Sequence, residues 1–260
     1  MSSLTAKWAE DLSSWGIPKH ILDQAPVSPW IHPPALFTVP EEITSTVSHE
    51  LAREALLGGG SILDVGCGGG IAAFAAVPPA TYVLGVDHQQ EMLAMFADQA
   101  EVRQVTHQEF LGDWPQIAES VPRADVVTCH HVAYNVSDIE PFLKALDAHS
   151  NRRVVIEIPQ KHPLSAMSEA WKYFWNLERP TSPDSNDLLN IVRELGFDAQ
   201  ISNWMSALGR EIAFDQEVEF MRVRLCLPAK RDNEIAEFLE QYPRSRPRPV
   251  STIWWDKGDR

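Results

Sequence analysis

The sequence has little positive charge for its length. It contains 22 Lys and Arg residues against 36 Asp and Glu, which gives a formal net charge of -14. Nucleic-acid binding depends on clustered Lys and Arg, so DNA, RNA and anionic membrane surfaces are not expected partners. The most basic stretch, "YPRSRPRPV" at Tyr242 to Val250, interleaves arginines with prolines and is interpreted as an extended connector.

Cysteines are also few, and long apolar runs are missing. Cys67, Cys129 and Cys226 lie far apart without CxxC spacing, which argues against a zinc site or a disulfide framework, and no metal is expected. Acidic residues interrupt the N-terminus where a signal peptide needs an apolar run, and no segment approaches membrane-spanning length. These absences predict a cytoplasmic protein, and they leave open whether it is a monomer or a homodimer.

What the sequence does contain is an alternation of strand-like and helix-like segments. Between 61 and 159, short β-rich runs alternate with helical runs, which predicts a doubly wound α/β fold with a mostly parallel sheet. We divide the chain into a helical N-terminal segment or lid at 1–58 and a ligand-binding domain at 59–260. The latter carries a helical cap insertion at about 163–196. The pattern predicts a helix over Glu41 to Leu57 and a strand over "EVRQVT" from Glu101, and residues 216–227 fit either a helix or a strand.

The stretch "SILDVGCGGGIAAFAA", Ser61 to Ala76, places glycines directly after a predicted strand. Glycines there let a ligand approach the backbone and the start of the following helix. A dinucleotide fingerprint is incomplete, because its third glycine position falls on Ile71. Asp64 would repel a pyrophosphate but attract an ammonium or sulfonium group, and S-adenosylmethionine carries both. Asp87, closing "TYVLGVD", is then the carboxylate expected to accept from the ribose hydroxyls.

The segments "LDVGCGGG" and "VLGVDHQQEML" resemble the first two motifs of class I S-adenosylmethionine-dependent methyltransferases. The resemblance extends from about Glu41 to Pro159 and takes in "FLGDWP" and "ADVVTCHHVAYNV". It implies a seven-stranded sheet with one antiparallel strand. It also implies an enzyme that transfers a methyl group from S-adenosylmethionine and leaves S-adenosylhomocysteine.

The same resemblance implies a set of cofactor-binding residues. Their expected contacts are the methionine portion, the ribose, the adenine and the region of the departing methyl group. The residues are Asp64, Gly66, Cys67, Gly68, Asp87, His88, Asp113, Trp114, Cys129 and His130. For Trp114 a core position is an equal alternative, and for His130 and His131 so is a backbone hydrogen bond at a strand end.

His131 and Tyr134, in the loop after the fourth strand, are the candidate catalytic residues. A histidine can remove a proton from a hydroxyl or amine, although methyl transfer from a sulfonium does not require a dedicated base. The stretch "HHVAYN" departs from the Asn/Asp-Pro-Pro-Tyr sequence of some amino-group methyltransferases, which favours a small-molecule acceptor. The candidate substrate-binding residues are Trp15, Trp30, His32 and Asn135.

Two other functions are compatible with parts of this pattern. The order of strand, glycine loop and acidic residue is also found in NAD(P)-dependent oxidoreductases. A module that binds S-adenosylmethionine without transferring a methyl group would retain the same cofactor motifs.

Overall fold

A computed structural model describes residues 2–30, 39–206, 213–242 and 247–258 of the chain. The seven strands are β1 (Ser61–Val65), β2 (Tyr82–Asp87), β3 (Thr106–Leu111), β4 (Ala124–His130), β5 (Ser150–Pro159), β6 (Gln200–Ser206) and β7 (Arg248–Asp256). The first five helices are α1 (Ser3–Ser13), α2 (Lys19–Leu22), α3 (Val47–Ala55), α4 (Ile71–Ala75) and α5 (Gln90–Val102). They are followed by α6 (Ile139–His149), α7 (Ser168–Trp175), α8 (Ser185–Glu194), α9 (Phe214–Arg224) and α10 (Asp232–Gln241).

The strands form one sheet in the order β3-β2-β1-β4-β5-β7-β6. The first five strands are parallel, and β7 lies between β5 and β6 and runs antiparallel to both. This confirms the predicted doubly wound α/β fold with a seven-stranded, mostly parallel sheet. Because the strand order reverses between β1 and β4, a crevice is expected at their carboxyl ends.

Alternate residues of the central strands pack on opposite faces of the sheet. Leu63 and Val127 belong to a cluster covered by α1, α6 and α8, whereas Ile62 and Val126 belong to a cluster covered by α3, α4 and α5. Side chains in a strand point alternately to its two faces, so a strand buried on both sides reads as a continuous apolar run. The strands β1, β2, β4 and β5 have this composition, which is why the sequence predicts them.

A third cluster of buried side chains lies apart from the sheet and forms the cap. It joins α2, α7, α9 and α10 through residues that include Ile21, Trp171, Phe174, Met221 and Phe238. Helix α8, predicted as part of the cap insertion at 163–196, instead buries Leu188, Ile191 and Val192 in the sheet cluster. The cap therefore combines residues before α8 with residues after β6, a pairing distant in sequence.

Several element boundaries differ from those expected. Helix α3, predicted from Glu41, begins after Thr46, whose side chain accepts from the His49 amide in a capping box. The stretch "EVRQVT", predicted as a strand from Glu101, instead ends α5, and β3 starts only at Thr106. The undecided segment 216–227 is helical up to Arg224.

Candidate functional site

The glycine loop after β1 lies against the segment that follows β4. Gly66 has a φ of 73°, and a β-carbon added there would lie 2.3 Å from Val132 Cγ2, so only glycine fits this approach. The amides of Gly66 and Cys67 both donate to the Val86 carbonyl, at 2.8 and 3.0 Å. The loop is therefore fastened to β2 as well, and these two amides already have a partner within the protein.

Asp64 is enclosed at the carboxyl end of β1. Its side chain is 1% exposed, Oδ1 accepts from the Thr128 hydroxyl at 3.0 Å, and Oδ2 has no hydrogen-bond partner among the described residues. Burial raises the pKa of this carboxyl to about 7, against the opposing effect of the Thr128 hydrogen bond. The Asp64 carboxyl is therefore enclosed by the protein, and a contact with the amino group of the cofactor stays a prediction.

Asp87 closes β2 and connects it to the glycine loop. Its Oδ2 accepts from the Gly68 amide at 3.0 Å and its Oδ1 from the Gln89 amide at 2.9 Å. A carboxylate has about four acceptor positions, so hydroxyl groups can still donate to it. The His88 ring is exposed, with Nδ1 3.6 Å from Asp87 Oδ1, and is accessible to a ligand at this edge.

The predicted adenine-side residues divide between the surface and the core. Asp113 is exposed, whereas Trp114 is 9% exposed, packs in the sheet cluster and meets the His149 ring edge-on at 4.8 Å. The Trp114 Nε1–H is buried and has no hydrogen-bond acceptor within the described structure. The structure therefore gives Trp114 a packing role, and a contact with adenine stays a prediction.

The two cysteines of the predicted cofactor set are buried. Burial raises the pKa of both thiols above the ordinary value, which leaves them uncharged. Cys129 packs in the cluster under α6, while its neighbour His130 points to the opposite face, beneath α3. Cys129 and His130 therefore lie on opposite faces of β4, and their contacts with the cofactor stay predictions.

A buried group of polar side chains lies where β4 and β5 end. Glu157 on β5 is 6% exposed, with Oε1 3.0 Å from His131 Nε2 and Oε2 4.0 Å from His130 Nδ1. Thr46 donates its hydroxyl to Glu157 Oε2 at 3.2 Å. Burial works against the charge of Glu157, but His130 and His131 hold the pKa of this carboxyl well below its usual range. The carboxylate is thus ionised at neutral pH.

The two histidines beside Glu157 differ in access. His130 stacks on the His49 ring at 5.6 Å, and burial lowers its pKa to about 3. Its Nε2 is buried, and none of the described residues forms a hydrogen bond with it. His131 is half-exposed, has a φ of 62°, and is fixed through its amide, which donates to the Glu157 carbonyl at 2.8 Å. Of the two, His131 alone can reach a ligand in solution.

Tyr134 and Asn135 follow in a short 3-10 helix, Ala133–Asn135. Tyr134 is buried, donates its hydroxyl to the Pro159 carbonyl at 2.9 Å and stacks on Trp8 at 5.7 Å. Burial raises its pKa above the ordinary value. A phenol held in this way anchors the loop to β5, so a catalytic role would need it to leave Pro159. Asn135 is exposed beside it.

The aromatic residues predicted to bind the substrate differ in how far they are buried. Trp15 is 3% exposed, stacks on His162 at 4.2 Å and donates its Nε1–H to the Ser182 carbonyl at 2.7 Å. Trp30 is 48% exposed and lines a cleft of the cap. His32 lies outside the described residues. Trp30 is thus the one aromatic of this set that the described structure leaves open to a ligand.

Glu157, Thr46 and His49 belong to the site but were not predicted from the sequence. Glu157 interrupts the apolar run of β5, and a charge in a strand buried on both faces needs a partner, so its position was a usable signal. Thr46 caps α3 and His49 lies in its first turn, and their approach to the end of β5 depends on tertiary packing.

No described set of three or more His, Cys, Asp or Glu side chains is arranged to hold a metal. None of the described helices has the length and apolarity required to cross a bilayer.

Comparison with known proteins identifies the fold and the chemistry. Residues 39–200 match the methyltransferase domain family, which covers more than half of the chain. The chain belongs to this methyltransferase family. It is accordingly an S-adenosylmethionine-dependent transferase, which confirms the predicted cofactor and replaces the oxidoreductase alternative.

Individual relatives are distant from this methyltransferase. A ubiquinone biosynthesis O-methyltransferase from Coxiella burnetii is 28% identical over 94 residues, which are 36% of this chain and 40% of the relative. A putative methyltransferase from Bacillus halodurans has a TM-score of 0.52 at 18% identity, over 82% of this chain and 98% of that one. Magnesium protoporphyrin IX methyltransferase from Synechocystis with bound SAH has a TM-score of 0.53 at 14% identity, over 82% and 80% of the two chains. At such identities these structures support the fold alone.

The residues of the crevice fit the cofactor of the family. Asp64 provides a buried carboxyl with one unpartnered oxygen near the start of the glycine loop, and Asp87 provides a fixed acceptor at the end of β2. A sulfonium and an ammonium are cations, and ribose hydroxyls are donors, so both carboxyls have the chemistry that this methyltransferase needs.

Proposed function

We propose that this methyltransferase acts on a small molecule and that His131, oriented by Glu157, is the base that removes a proton from the acceptor. The strongly acidic composition disfavours nucleic acid as the acceptor. The ubiquinone-related relative carries out O-methylation, as its name states, and supports an oxygen acceptor here, although nitrogen and carbon remain alternatives.

The observation that carries the proposal is the contact between His131 Nε2 and Glu157 Oε1 at 3.0 Å. An ionised carboxylate only accepts hydrogen bonds, so Nε2 must carry a proton, and in the neutral ring Nδ1 then holds the lone pair. The ring is half-exposed, which leaves Nδ1 available to an acceptor. Glu157 thereby orients the ring and stabilises the imidazolium that forms on proton uptake.

Bound S-adenosylmethionine supplies an electrophilic methyl group on a sulfonium, and transfer leaves S-adenosylhomocysteine. The protein aligns the acceptor, an effect worth up to about 7 to 11 kcal/mol for two well-held reactants. The bond from the acceptor atom to its proton breaks as the bond to carbon forms, and the proton passes to His131 Nδ1. Base catalysis of this kind contributes about two to four orders of magnitude in rate.

The test combines a cofactor titration with an acceptor screen. Calorimetry with S-adenosylmethionine, S-adenosylhomocysteine and NADH should give binding of the first two only. Transfer of labelled methyl from S-adenosylmethionine is then measured against a panel of phenols, catechols, amines and carboxylic acids. Labelling of added RNA, DNA or protein with no labelling of the panel would overturn the small-molecule assignment.

Variants then test the role of His131. His131→Ala and Glu157→Gln should each lower kcat by about 100-fold or more while leaving S-adenosylmethionine affinity unchanged. The pair His107 and Glu109 on β3, whose Nδ1 and Oε1 lie 2.6 Å apart, offers a matched control. His107→Ala and Glu109→Gln should retain full activity. Equal activity of His131→Ala and the wild type would remove His131 from the mechanism.

A further inference from the structure

The cap contains a cleft that is separate from the glycine loop and the ends of β1 and β2. Apolar side chains of Ile17, Leu164, Met167 and Trp171 line it, and the half-exposed Trp30 stands at its edge. Arg179 and Arg224 also line the cleft, although each is less than a tenth exposed. A cleft with aromatic walls and buried guanidinium groups is unusual in a chain whose net charge is strongly negative.

Arg179 is only partly satisfied by the protein around it. Its Nη1 donates to the Gly16 carbonyl at 3.2 Å and its Nη2 to the Trp15 carbonyl, while the buried Nε–H has no hydrogen-bond partner in the described parts of the chain. The guanidinium lies over the Trp15 and Trp171 rings, at 5.4 and 5.2 Å from their centroids. Among the described residues no carboxylate forms an ion pair with Arg179.

These contacts leave a buried positive charge without a counter-charge. Two carbonyls and two indole faces stabilise a guanidinium, each cation–π contact by about 0.5 to 2 kcal/mol, but they do not neutralise it. Buried charges in proteins are normally paired, because desolvating an unpaired ion is strongly unfavourable. The neighbouring His162 supplies no negative charge. A ligand anion would complete the site.

We propose that this cleft binds a small organic anion, with its carboxylate at Arg179 and a flat aromatic or apolar body between Trp30 and Trp171. The unpartnered Nε–H provides a donor for a carboxylate oxygen, and charge-assisted bonds of this kind are the stronger ones. The enclosed part of the cleft is small, so the carboxylate enters it while the flat body lies at the exposed edge beside Trp30. The proposal does not depend on which molecule accepts the methyl group.

A chain of ring contacts connects this site to the loop after β4. Arg179 lies over Trp15, Trp15 stacks on His162 at 4.2 Å, and His162 meets Tyr134 edge-on at 5.1 Å. Occupancy of the cleft is therefore placed to influence the loop that carries His131.

Benzoate and benzamide make a matched pair of probes, since they share a shape and differ in charge. The full chain labelled with 15N is titrated with each, and the indole N–H signals of Trp30 and Trp171 are followed, assigned through Trp→Phe variants. We expect benzoate to shift both signals and to bind about tenfold or more tightly than benzamide. Equal binding of the two probes, or benzoate binding that leaves both indoles unmoved, would refute the site.

Two variants locate the determinants. Arg179→Met should remove the preference for benzoate over benzamide, and Trp30→Ala, at the exposed edge, should weaken benzoate about threefold or more without loss of folding. Arg123, whose Nη2 also donates to a backbone carbonyl, that of Ser150 at 3.1 Å, provides the control variant Arg123→Met, which should bind benzoate as the wild type does. If Arg179→Met does not fold, unchanged benzoate binding by Trp30→Ala would by itself refute the proposal.

Discussion

At the scale of single residues, Asp64 combines complete burial with an ionisable group. Its pKa is about 7 in the folded protein and 3.8 in an ordinary setting, so between these values the folded chain holds a proton that the unfolded chain releases. The contribution of Asp64 to the unfolding free energy must therefore fall as the pH rises from about 4 to about 7, and then level off.

Asp64→Asn should remove this pH dependence. The amide oxygen can still accept from Thr128, and no charge is buried at high pH. We expect the unfolding free energy of the variant relative to that of the wild type to rise by about 2.7 kcal/mol between about pH 5 and pH 8. Urea unfolding at both pH values measures the gain, and the exposed Asp98→Asn should give none. A difference that stays constant with pH would contradict a raised pKa for Asp64.

Asp87 should contribute directly to cofactor affinity. Asp87→Ala removes the acceptor for the ribose hydroxyls and leaves the Gly68 and Gln89 amides without their partner. We expect S-adenosylmethionine to bind at least tenfold more weakly, about 1.4 kcal/mol, with the thermal unfolding still cooperative. Calorimetric titration tests this, and unchanged affinity would exclude the ribose role.

The residues of the site were not equally visible in the sequence. Asp64 and Asp87 were predictable because each lies near the end of an apolar strand, and Asp64 is two residues before the first glycine of the loop. Glu157 was signalled only as a charge within an apolar strand, because its partners His131 and Thr46 come from other parts of the chain. Trp15 and Tyr134 illustrate the reverse case, in which aromatic residues expected near the acceptor are held by carbonyls of the protein itself.

At the scale of elements, the contact between the glycine loop and the segment after β4 depends on Gly66. Gly66→Ala combines a positive φ, unfavourable by about 1 to 2 kcal/mol, with overlap onto Val132, which adds about 1 to 3 kcal/mol. Gly58 has a φ of 86° and no atom within 4 Å of an added β-carbon, so Gly58→Ala isolates the backbone effect.

The expected order of stability is wild type, then Gly58→Ala, then Gly66→Ala, as measured by chemical unfolding. Only Gly66→Ala should also weaken cofactor binding. Combining Gly66→Ala with Val132→Ala should restore part of the lost stability, and no restoration would show that the overlap is not the cause.

The elements themselves were predicted best where a single local rule decided them. The apolar strands and the glycine stop of β1 were clear, whereas β3 was placed too early because helix α5 extends through "EV" to Val102. Helix α8 has an amphipathic pattern typical of either a cap or a sheet layer. Which of the two it joins is decided by its packing against α1 within the sheet cluster, which no local pattern reveals.

At the scale of the whole molecule, the cap has its own buried cluster, so its stability is separable from that of the sheet. Phe238→Ala should open a cavity beside Phe174 and cost about 3 to 5 kcal/mol locally. We expect amide exchange in α7, α9 and α10 to quicken while S-adenosylmethionine affinity stays the same.

Phe142→Ala in the sheet cluster is the matched control for the cap variant. Phe142 is 1% exposed, and its loss should quicken exchange throughout the sheet. If Phe238→Ala affected the sheet equally, the cap and the sheet would be one cooperative unit.

The position of β7 also bears on how the protein is made. Strand β6 reaches the sheet only through β7, which comes after it in the chain and inserts between β5 and β6. During synthesis on the ribosome, β6 therefore emerges before its neighbour β7. Until β7 is made, the edge of β5 stays uncovered, and uncovered strand edges promote aggregation. A chain interrupted before β7 would lose two strands rather than one.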